Sequence, residues 1–441
     1  MKTTVVKFGG TSLASAAQIE KAVGIVRGSR NRRYMVASAP GKRSGDDIKV
    51  TDLLYRCHDL AAAGQDFSET LAAIEQRFAD IVRGLGISFD VAAEIAVLRE
   101  HLQNHPARDY MASRGEYLNA KIIAAFLGWP FVDAAETVFF TETGALDGEK
   151  TFRVLGERLA GLDNAVVPGF YGVLPDGTVH TFSRGGSDVT GSIVARAVNA
   201  ALYENWTDVS GMLSADPRVV DDPRVIDYIT YSELRELSYM GASVLHEDAI
   251  FPVRQAGIPI NIRNTNRPAD PGTMIVSRIE NGGTSRKVTG IAGRKGFAAI
   301  QVEKSMMNAE VGFGARLLNI LAENGVSFEH CPTGIDTMSV IVGGEHFAEV
   351  KETVLARIRE ELSPDWLSVE EGLSMIAVVG QGMVNLRGTA ARVFKALADE
   401  NINIRMIDQG SSEMNIIVGV NDTDYEAAIR GIYREMEHLM K

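Results

Sequence analysis

Along the first 280 residues, the hydrophobic positions follow two different periods in alternation. Short runs rich in β-branched and aromatic residues, bounded by glycine and proline, predict buried strands. Segments with apolar residues every three or four positions lie between these runs and predict helices. We expect strands at Thr4–Phe8, Tyr34–Ala39, Val166–Phe170 and Ile258–Ile262, and helices at Ser15–Arg27, Asp52–Ala63, Glu69–Val82, Tyr117–Leu127 and Gly191–Asn205. This alternation predicts an α/β fold, with a parallel or mixed sheet covered by helices.

The last third of the chain contains an internal repeat. The segment that begins at Val311 aligns without a gap with the segment that begins at Arg387. Each copy predicts a strand, a glycine-rich turn, an amphipathic helix, two strands and a second helix. A unit of about 70 residues leaves a sheet edge or face to be covered by a neighbour. We expect an α/β domain at 1–280, a linker at 281–296, and two α+β units at 297–371 and 372–441.

Composition and charge narrow the possible functions. The chain has 441 residues and a formal net charge of −12, which argues against non-specific binding to nucleic acid or to anionic membranes. Its apolar stretches are all shorter than the ~18 uncharged residues of a membrane span. Two cysteines, Cys57 and Cys331, cannot form a disulfide framework in a chain of this length. We therefore expect a reducing, cytoplasmic environment.

The first candidate site lies where the first predicted strand ends, at Lys7-Phe8-Gly9-Gly10. Glycines allow backbone N–H groups to turn toward one point, and the start of the following helix adds a partial positive charge. Together with the Lys7 ammonium, these groups predict a cradle for an anion such as phosphate. The alternative interpretation is an ordinary strand–turn–helix corner with a surface lysine.

The second candidate site is the segment Ser183-Arg184-Gly185-Gly186-Ser187-Asp188, just before a predicted helix. The Arg184 guanidinium suits a carboxylate, which it can bind through two parallel hydrogen bonds. The Asp188 carboxylate suits an amino group or a water molecule on magnesium. The alternative is a solvated loop with a helix cap.

Two further segments carry candidate chemistry. Glu116, in Ser113-Arg114-Gly115-Glu116, is suited to bind a substrate ammonium, or it only favours the start of the predicted helix at Tyr117. Thr207-Asp208-Val209, followed by Ala215-Asp216-Pro217-Arg218, resembles a strand end with nearby turns. Such a position at a strand end is common for ligands in open α/β sheets, although plain turn chemistry explains it as well.

Taken in this order, these motifs resemble those of the aspartate kinases, a family of the amino acid kinase superfamily. The likeness also includes Gly241-Ala242-Ser243-Val244-Leu245-His246, and the repeat is similar to the paired ACT domains of that family. The resemblance covers essentially the whole chain. It implies an open sheet sandwiched by helices in a catalytic domain at 1–280, followed by two ACT-like, ferredoxin-like α+β domains.

The resemblance also implies an activity. The expected reaction is the phosphorylation of the side-chain carboxylate of L-aspartate by ATP with Mg²⁺, which gives 4-phospho-L-aspartate. This is the first step toward lysine, threonine and methionine. The expected partners are L-aspartate, ATP and an amino-acid effector, and the expected assembly is a homo-oligomer, most simply a dimer, through the ACT-like domains.

Residue roles follow from the same resemblance. Lys7 and Asp188 would be catalytic, and no set of residues is assigned as a protein-held metal site. The ATP and phosphate site would consist of Lys7, Gly9, Gly10, Thr207, Asp208, Arg218 and Ser243, and the aspartate site of Ser38, Thr51, Glu116, Arg184 and Ser187. Lysine is the expected effector, with threonine as its main rival. The effector site would consist of Met307, Gly312, Phe313, Gly314, Ser327, Glu329 and Asp336.

The sequence departs from the family pattern at three positions. Ser243 stands where the family carries a nucleotide-site lysine, Leu213 stands in place of a common aromatic residue, and Ser210 stands in place of a frequent aspartate. Two alternative functions stay open, and Ser243 and Leu213 are the only support for the second of them. One is a related acyl-phosphate kinase that acts on glutamate or acetylglutamate. The other is a catalytically weak amino-acid sensor with a vestigial kinase fold, and a third possibility for the repeat alone is a dimer scaffold.

Overall fold

The computed structural model describes residues 2–104, 107–183, 185–242, 245, 247–279, 286–384 and 386–441, without the side chains of residues 247 and 248. It forms two compact units that are not contiguous in sequence. The first unit contains residues 1–212, 225–231 and 244–279, and the second contains residues 213–224, 232–243 and 280–441. No helix in these described ranges is long and apolar enough to cross a membrane.

The first unit is built on a seven-stranded sheet covered by helices, which confirms the predicted α/β class. Its strands are β1 (Thr4–Phe8), β2 (Arg32–Ala37), β3 (Ala165–Pro168), β6 (Leu202–Thr207), β7 (Tyr228–Thr230), β8 (Ile260–Asn264) and β9 (Thr273–Val276), and a separate hairpin consists of β4 (Tyr171–Val173) and β5 (Val179–Thr181). Its helices are α1 (Ala16–Arg27), α2 (Val50–Ala62), α3 (Ser68–Leu85), α4 (Val91–Asn104), α5 (Arg108–Leu127), α6 (Gly148–Ala160), α7 (Gly186–Ala197) and α9 (Glu247–Gln255).

The sheet has the order β3-β2-β1-β6-β8-β9-β7, and its first five strands run parallel. All five residues of β1 are buried, as expected for a central parallel strand that is covered on both faces. The chain moves from β1 to β2 on one side, whereas β6 lies on the other side. Ligands bind at such switch points in open α/β sheets, outside the carboxyl ends of the strands.

The predicted helix at Gly191–Asn205 is wrong in its second half. Helix α7 ends at Ala197, and strand β6 begins at Leu202. Asn199 adopts the left-handed conformation, with φ of 48°, which ends the helix. The following residues pair with β1 on one side and β8 on the other, so tertiary pairing decides the conformation of a segment with an ambiguous pattern.

The helix predicted at Tyr117–Leu127 begins earlier, at Arg108. The segment from Ser113 to Glu116 therefore lies inside α5 and does not form a loop before it. A Cβ atom at Gly115 would lie 2.7 Å from the Cβ of Ala39, so the glycine allows α5 to approach the turn after β2. This approach places Glu116 beside the carboxyl end of the sheet.

The second unit contains a six-stranded sheet with the order β11-β12-β10-β13-β15-β14. Its strands are β10 (Gly290–Glu303), β11 (Phe328–His330), β12 (Thr337–Gly343), β13 (Trp366–Val379), β14 (Met406–Asp408) and β15 (Asn415–Asn421). Its helices are α8 (Tyr231–Tyr239), which lies in this unit from residue 232, α10 (Phe313–Glu323), α11 (Gly344–Leu362), α12 (Thr389–Asp399) and α13 (Tyr425–Met436). Both repeats show the predicted order of strand, helix, two strands and helix.

The two long strands β10 and β13 are antiparallel, and both repeats share them. Ile300, in the second half of β10, packs in the core of the first repeat. Ile291, in its first half, packs in the core of the second repeat. Strand β10 begins inside the segment predicted as a linker, so residues 290–296 form sheet in place of a connection.

Candidate active site

A buried ion pair lies at the switch point of the first unit. The Lys7 Nζ is 2.6 Å from Asp188 Oδ1, and both side chains are largely buried. Asn205 Nδ2 donates to the same carboxylate oxygen at 2.7 Å, and Lys7 Nζ donates to Asn205 Oδ1 at 3.4 Å. The structure therefore brings together the two predicted catalytic residues and adds Asn205 as their common partner.

Asn205 was not predicted as a site residue. It is the register partner of Lys7 in the neighbouring parallel strand β6. That register can be read only when the pairing of β1 with β6 is known, and the sequence pattern placed Asn205 in a helix. The pairing of Asn205 with Lys7 therefore could not be predicted, because this segment was assigned to a helix.

Small residues hold Asp188 in the first turn of α7. Gly185, before the helix, has φ of 57°, in the left-handed region that favours glycine. A Cβ atom at Gly186 would lie 2.4 Å from the ring of Phe170. The Tyr203 hydroxyl donates to the Asp188 carbonyl at 3.2 Å and fixes this turn against β6.

The turn after β1 contains the two predicted phosphate-site glycines and leads into a short 3-10 helix at Thr11–Leu13. The Gly9 N–H donates to the Trp206 carbonyl at 3.0 Å. A Cβ atom at Gly9 would lie 3.6 Å from Lys7 Nζ. Gly9 therefore contributes free space in front of the Lys7 ammonium, while its own amide extends the sheet.

Glu116 lies fully buried on α5, and its Oε2 has no hydrogen-bond partner among the described residues. Burial raises the pKa of Glu116 to about 8, although a hydrogen bond from the backbone N–H of Ala39 opposes the shift. A carboxyl group in this position gains a partner when a cation binds beside it. Glu116 is therefore a candidate partner for a substrate ammonium group.

Arg114 contributes a second charge near Glu116. Its guanidinium lies over the rings of Tyr110, Tyr117 and Tyr171, at 4.4, 4.3 and 5.2 Å from their centroids. It also donates to Ser113 Oγ at 3.0 and 2.9 Å. This buried positive charge acts to lower the pKa of Glu116 and limits the effect of burial.

Three other residues predicted to bind aspartate, Ser38, Thr51 and Ser187, lie in segments near the same end of the sheet. The Ser38 carbonyl accepts from Asn119 Nδ2 of α5 at 2.7 Å, so Ser38 lies beside the helix that carries Glu116. Thr51 is in the first turn of α2, and Ser187 is in the first turn of α7. A Cβ atom at Gly169 would lie 2.6 Å from Ser187 Oγ, which places Ser187 at the end of β3. Arg184 lies outside the described residues.

The residues predicted to bind the nucleotide are divided between the units. Thr207 ends β6, and its hydroxyl donates to Asp208 Oδ1 at 3.1 Å. Arg218 belongs to the second unit, where its exposed guanidinium donates to Asp216 Oδ2 at 2.6 Å. Ser243 lies outside the described residues.

The predicted effector residues lie in the first repeat of the second unit. Gly312, with φ of 83°, precedes helix α10, and Phe313 begins this helix, where it packs in the core with Met307. Gly314 lies in the first turn of α10, near Met338, and Ser327 immediately precedes strand β11. Asp336 Oδ1 accepts from the Met306 N–H at 2.9 Å.

Glu329 of the same site already has partners within the second unit. Its carboxylate accepts from the Tyr239 hydroxyl of α8, and from Arg294 Nη2 at 3.1 Å. Burial raises the pKa of Glu329. A cationic effector at Glu329 would therefore compete with the Arg294 guanidinium.

Comparison with known proteins gives the family. Residues 2–264 match the amino acid kinase family, and residues 376–436 match the ACT domain. The chain is 42% identical to aspartokinase 3 of Bacillus subtilis (strain 168) over 447 residues, which cover 98% of each chain. The structure of Clostridium acetobutylicum aspartate kinase is similar, with a TM-score of 0.90, 48% sequence identity, and coverage of 99% of this chain and 100% of that chain.

Escherichia coli aspartokinase III is similar at 26% sequence identity, with coverage of 99% of this chain and 100% of that chain. Its complex with aspartate and ADP has a TM-score of 0.75, and its complex with lysine and aspartate has a TM-score of 0.73. The fold and the two family matches define the class, which is an amino acid kinase with a C-terminal ACT domain. The full-length similarity narrows the class, and the chain belongs to the aspartate kinases. The alternatives of a glutamate-type kinase and of an inactive sensor are not favoured.

Proposed function

We propose that the enzyme transfers the γ-phosphoryl group of ATP to the side-chain carboxylate of L-aspartate and forms 4-phospho-L-aspartate. The observation that carries this proposal is the buried Glu116, whose Oε2 lacks a partner among the described residues. It lies on the same unit as the Lys7–Asp188 pair. The complex of E. coli aspartokinase III with aspartate and ADP supports this choice of substrates.

The chemistry requires little beyond positioning and charge. A carboxylate is already a nucleophile at pH 7, and the obstacle is the repulsion between two anions. The Lys7 ammonium offsets this repulsion at the transferring group, and Asp188 and Asn205 hold the ammonium in place. Glu116 and Arg184 would bind the α-ammonium and α-carboxylate of aspartate, and Ser38, Thr51 and Ser187 would line the rest of its pocket.

The nucleotide would lie in the first unit, near the Gly9–Gly10 turn and Thr207-Asp208. Magnesium would supply positive charge at the ATP phosphates. Such an ion would be held mainly by phosphate oxygens and water.

A hydroxylamine-trapping assay tests the reaction. The purified enzyme, with ATP, Mg²⁺ and L-aspartate, is expected to give aspartyl hydroxamate, and Lys7→Ala is expected to abolish it. Lys21→Ala, a change of an exposed lysine on α1, serves as the matched control and should retain activity. Hydroxamate formed from glutamate or acetylglutamate but not from aspartate would overturn the proposed substrate.

We propose that lysine inhibits the enzyme at the first repeat, with threonine as the rival. The support is the complex of E. coli aspartokinase III with lysine and aspartate, together with the partly buried Glu329 carboxylate. Glu329→Gln is expected to raise the inhibitory concentration of lysine at least about tenfold, since a charged hydrogen bond is lost. Glu323→Gln, on the exposed end of α10, is the control. Inhibition by threonine but not by lysine would identify threonine as the effector in place of lysine.

The remaining proposals concern the cellular context. The product would be used toward lysine, threonine and methionine, in the cytoplasm. The enzyme would be a homo-oligomer through its two ACT-like units, and the domain division at 1–280, 297–371 and 372–441 would describe its functional parts. The net charge of −12 and the two cysteines support the proposed location.

A further inference from the structure

Arg77 is a buried cation in the first unit that the proposed reaction does not use. It lies on α3 in the same stripe as Ile74, Phe78 and Ile81, and only 4% of the residue is exposed. A guanidinium in an apolar stripe is costly unless it is paired and hydrogen-bonded. Its partners therefore indicate why an arginine stands at this position.

All of these partners belong to two segments at the carboxyl end of the sheet. Arg77 Nη1 is 2.8 Å from Asp47 Oδ2. Arg77 Nη2 donates to the Gly41 carbonyl and, at 3.4 Å, to the Ala14 carbonyl. The Ala14 carbonyl lies just after the turn that follows β1, and Gly41 and Asp47 lie in the loop between β2 and α2. One guanidinium thus connects both segments.

The two segments also touch through their backbones. The Gly41 N–H donates to the Gly10 carbonyl at 2.8 Å. A Cβ atom at Gly41 would lie 2.5 Å from the Gly10 carbonyl carbon, and a Cβ atom at Gly10 would lie 3.0 Å from the Ala39 carbonyl oxygen. The phosphate-site turn is therefore positioned directly by the segment that Arg77 holds.

The loop from residue 40 to residue 49 begins beside Ser38 and ends beside Thr51, two residues proposed to bind aspartate. Asp47 fixes its exposed part, because its carboxylate accepts from the Arg43 N–H at 2.8 Å and from Arg43 Nε at 2.9 Å. These hydrogen bonds hold the pKa of Asp47 well below its usual range.

We infer that Arg77 is a positioning residue, which fixes the phosphate turn at Gly9–Gly10 against the loop that borders the aspartate pocket. The inference rests on the proposed function for the identity of that pocket. Arginine suits the task because its planar fork donates to several acceptors at once, whereas a lysine ammonium lacks this fixed geometry. Loss of the network should displace the reacting groups without removing any group that binds substrate.

Steady-state kinetics test the inference. Arg77→Lys and Arg77→Met are expected to lower kcat roughly 10–100-fold, because small displacements of reacting groups have effects of this size. The KM values for aspartate and ATP should change less than about threefold. Arg83→Met, on the same helix, serves as the control, because 73% of the Arg83 side chain is exposed and its change should leave kcat unaltered. Hydroxamate formation by the unmodified enzyme tests the proposed function separately.

Limited trypsin digestion gives a second readout, which a general loss of stability would not reproduce. Lys42 and Arg43 lie in the exposed part of the loop, and trypsin cleaves after both. Arg77→Met is expected to accelerate cleavage at these two sites selectively, under conditions where circular dichroism shows a folded protein. Arg83→Met should cleave as the unmodified enzyme does.

Asp47→Ala keeps the test decisive if Arg77→Met fails to fold, because it removes only the loop end of the network. This variant is expected to show the same loss of kcat and the same selective cleavage. A folded Arg77→Met, or Asp47→Ala in its place, with unaltered kcat and unaltered cleavage would overturn the inference. A large rise in KM for aspartate with unchanged kcat would also overturn it, since that result indicates a binding role.

Discussion

At the scale of single residues, the active-site chemistry depends on charges that the fold holds away from water. Lys7 and Asp188 form a pair whose geometry Asn205 completes. Glu116 differs from both, because one of its oxygens has no partner among the described residues. Lys7 and Asp188 already have each other and Asn205 as partners before substrate binds. Glu116 Oε2, in contrast, would gain its partner from the substrate.

This difference predicts a pH dependence for aspartate binding. Burial raises the pKa of Glu116 to about 8, so the free enzyme carries mostly the neutral carboxyl group at pH 6 to 7. An ammonium ligand favours the ionised form, so binding releases a proton. The KM for aspartate should therefore fall about tenfold per pH unit as pH rises toward 8, and then level off. Steady-state kinetics between pH 6 and 9 provide the measurement.

Glu116→Gln is the control for this prediction. Its KM for aspartate should be high and nearly independent of pH over the same range, because the amide does not ionise. A KM of the unmodified enzyme that stays constant from pH 6 to 8 would contradict the assignment of Glu116 to the substrate ammonium.

Asn205 provides a second prediction at this scale. Asn205→Leu removes the hydrogen bonds to Asp188 and Lys7 and is expected to lower kcat/KM roughly 10–100-fold, the usual effect of losing a bond to a charged group. Asn261→Leu, at a buried asparagine on the neighbouring strand β8, should change kcat/KM little. Equal losses of kcat/KM in both variants would indicate that either substitution disturbs the sheet as a whole.

At the scale of elements, strand β10 connects the two repeats of the second unit. Its first half pairs with the end of β13, and its second half pairs with the start of β13. The hydrophobic cores of the two repeats therefore share strand β10, but each core contains different side chains of that strand. A change in one half of β10 should weaken one repeat more than the other.

Hydrogen exchange tests this division. Ile291→Ala should destabilise the second repeat by about 2–5 kcal/mol, a usual cost for such a truncation in a core. Amide protection should fall mainly in α12, β15 and α13. Ile300→Ala should instead reduce protection in α10, β12 and α11. Equal loss of protection in both repeats after either change would show that they unfold as one unit.

Much of this architecture could be predicted from the sequence, and the failures have physical causes. The strands at Thr4–Phe8 and the repeat were predictable because their patterns are strong and local. The second half of the helix predicted at Gly191–Asn205 was wrong, because strand β6 is defined by its pairing on both sides. Residues 290–296 were assigned to a linker because their partner strand lies far away in sequence. Asn205 and Arg77 gain their roles only from contacts across the fold.

At the scale of the whole molecule, apolar surface on the second unit points to association. Phe328 on β11 and Ile407 on β14 are about half exposed, and both strands are edges of the described sheet. His330 Nδ1 lies 2.6 Å from Asp408 Oδ2, which brings these two edge strands together at one point. Exposed apolar residues on sheet edges are typical of surfaces that another chain covers.

Sedimentation velocity tests this association. The unmodified enzyme is expected to sediment as a species of twice the chain mass of 47.8 kDa, and Phe328→Lys should shift it to the monomer, because a charge opposes burial of the edge. Val97→Lys, at a similarly exposed apolar residue of the first unit, is the control. A monomeric Phe328→Lys that keeps kinase activity but loses lysine inhibition would place regulation in the assembly. A variant that remains dimeric would show that a different surface forms the interface.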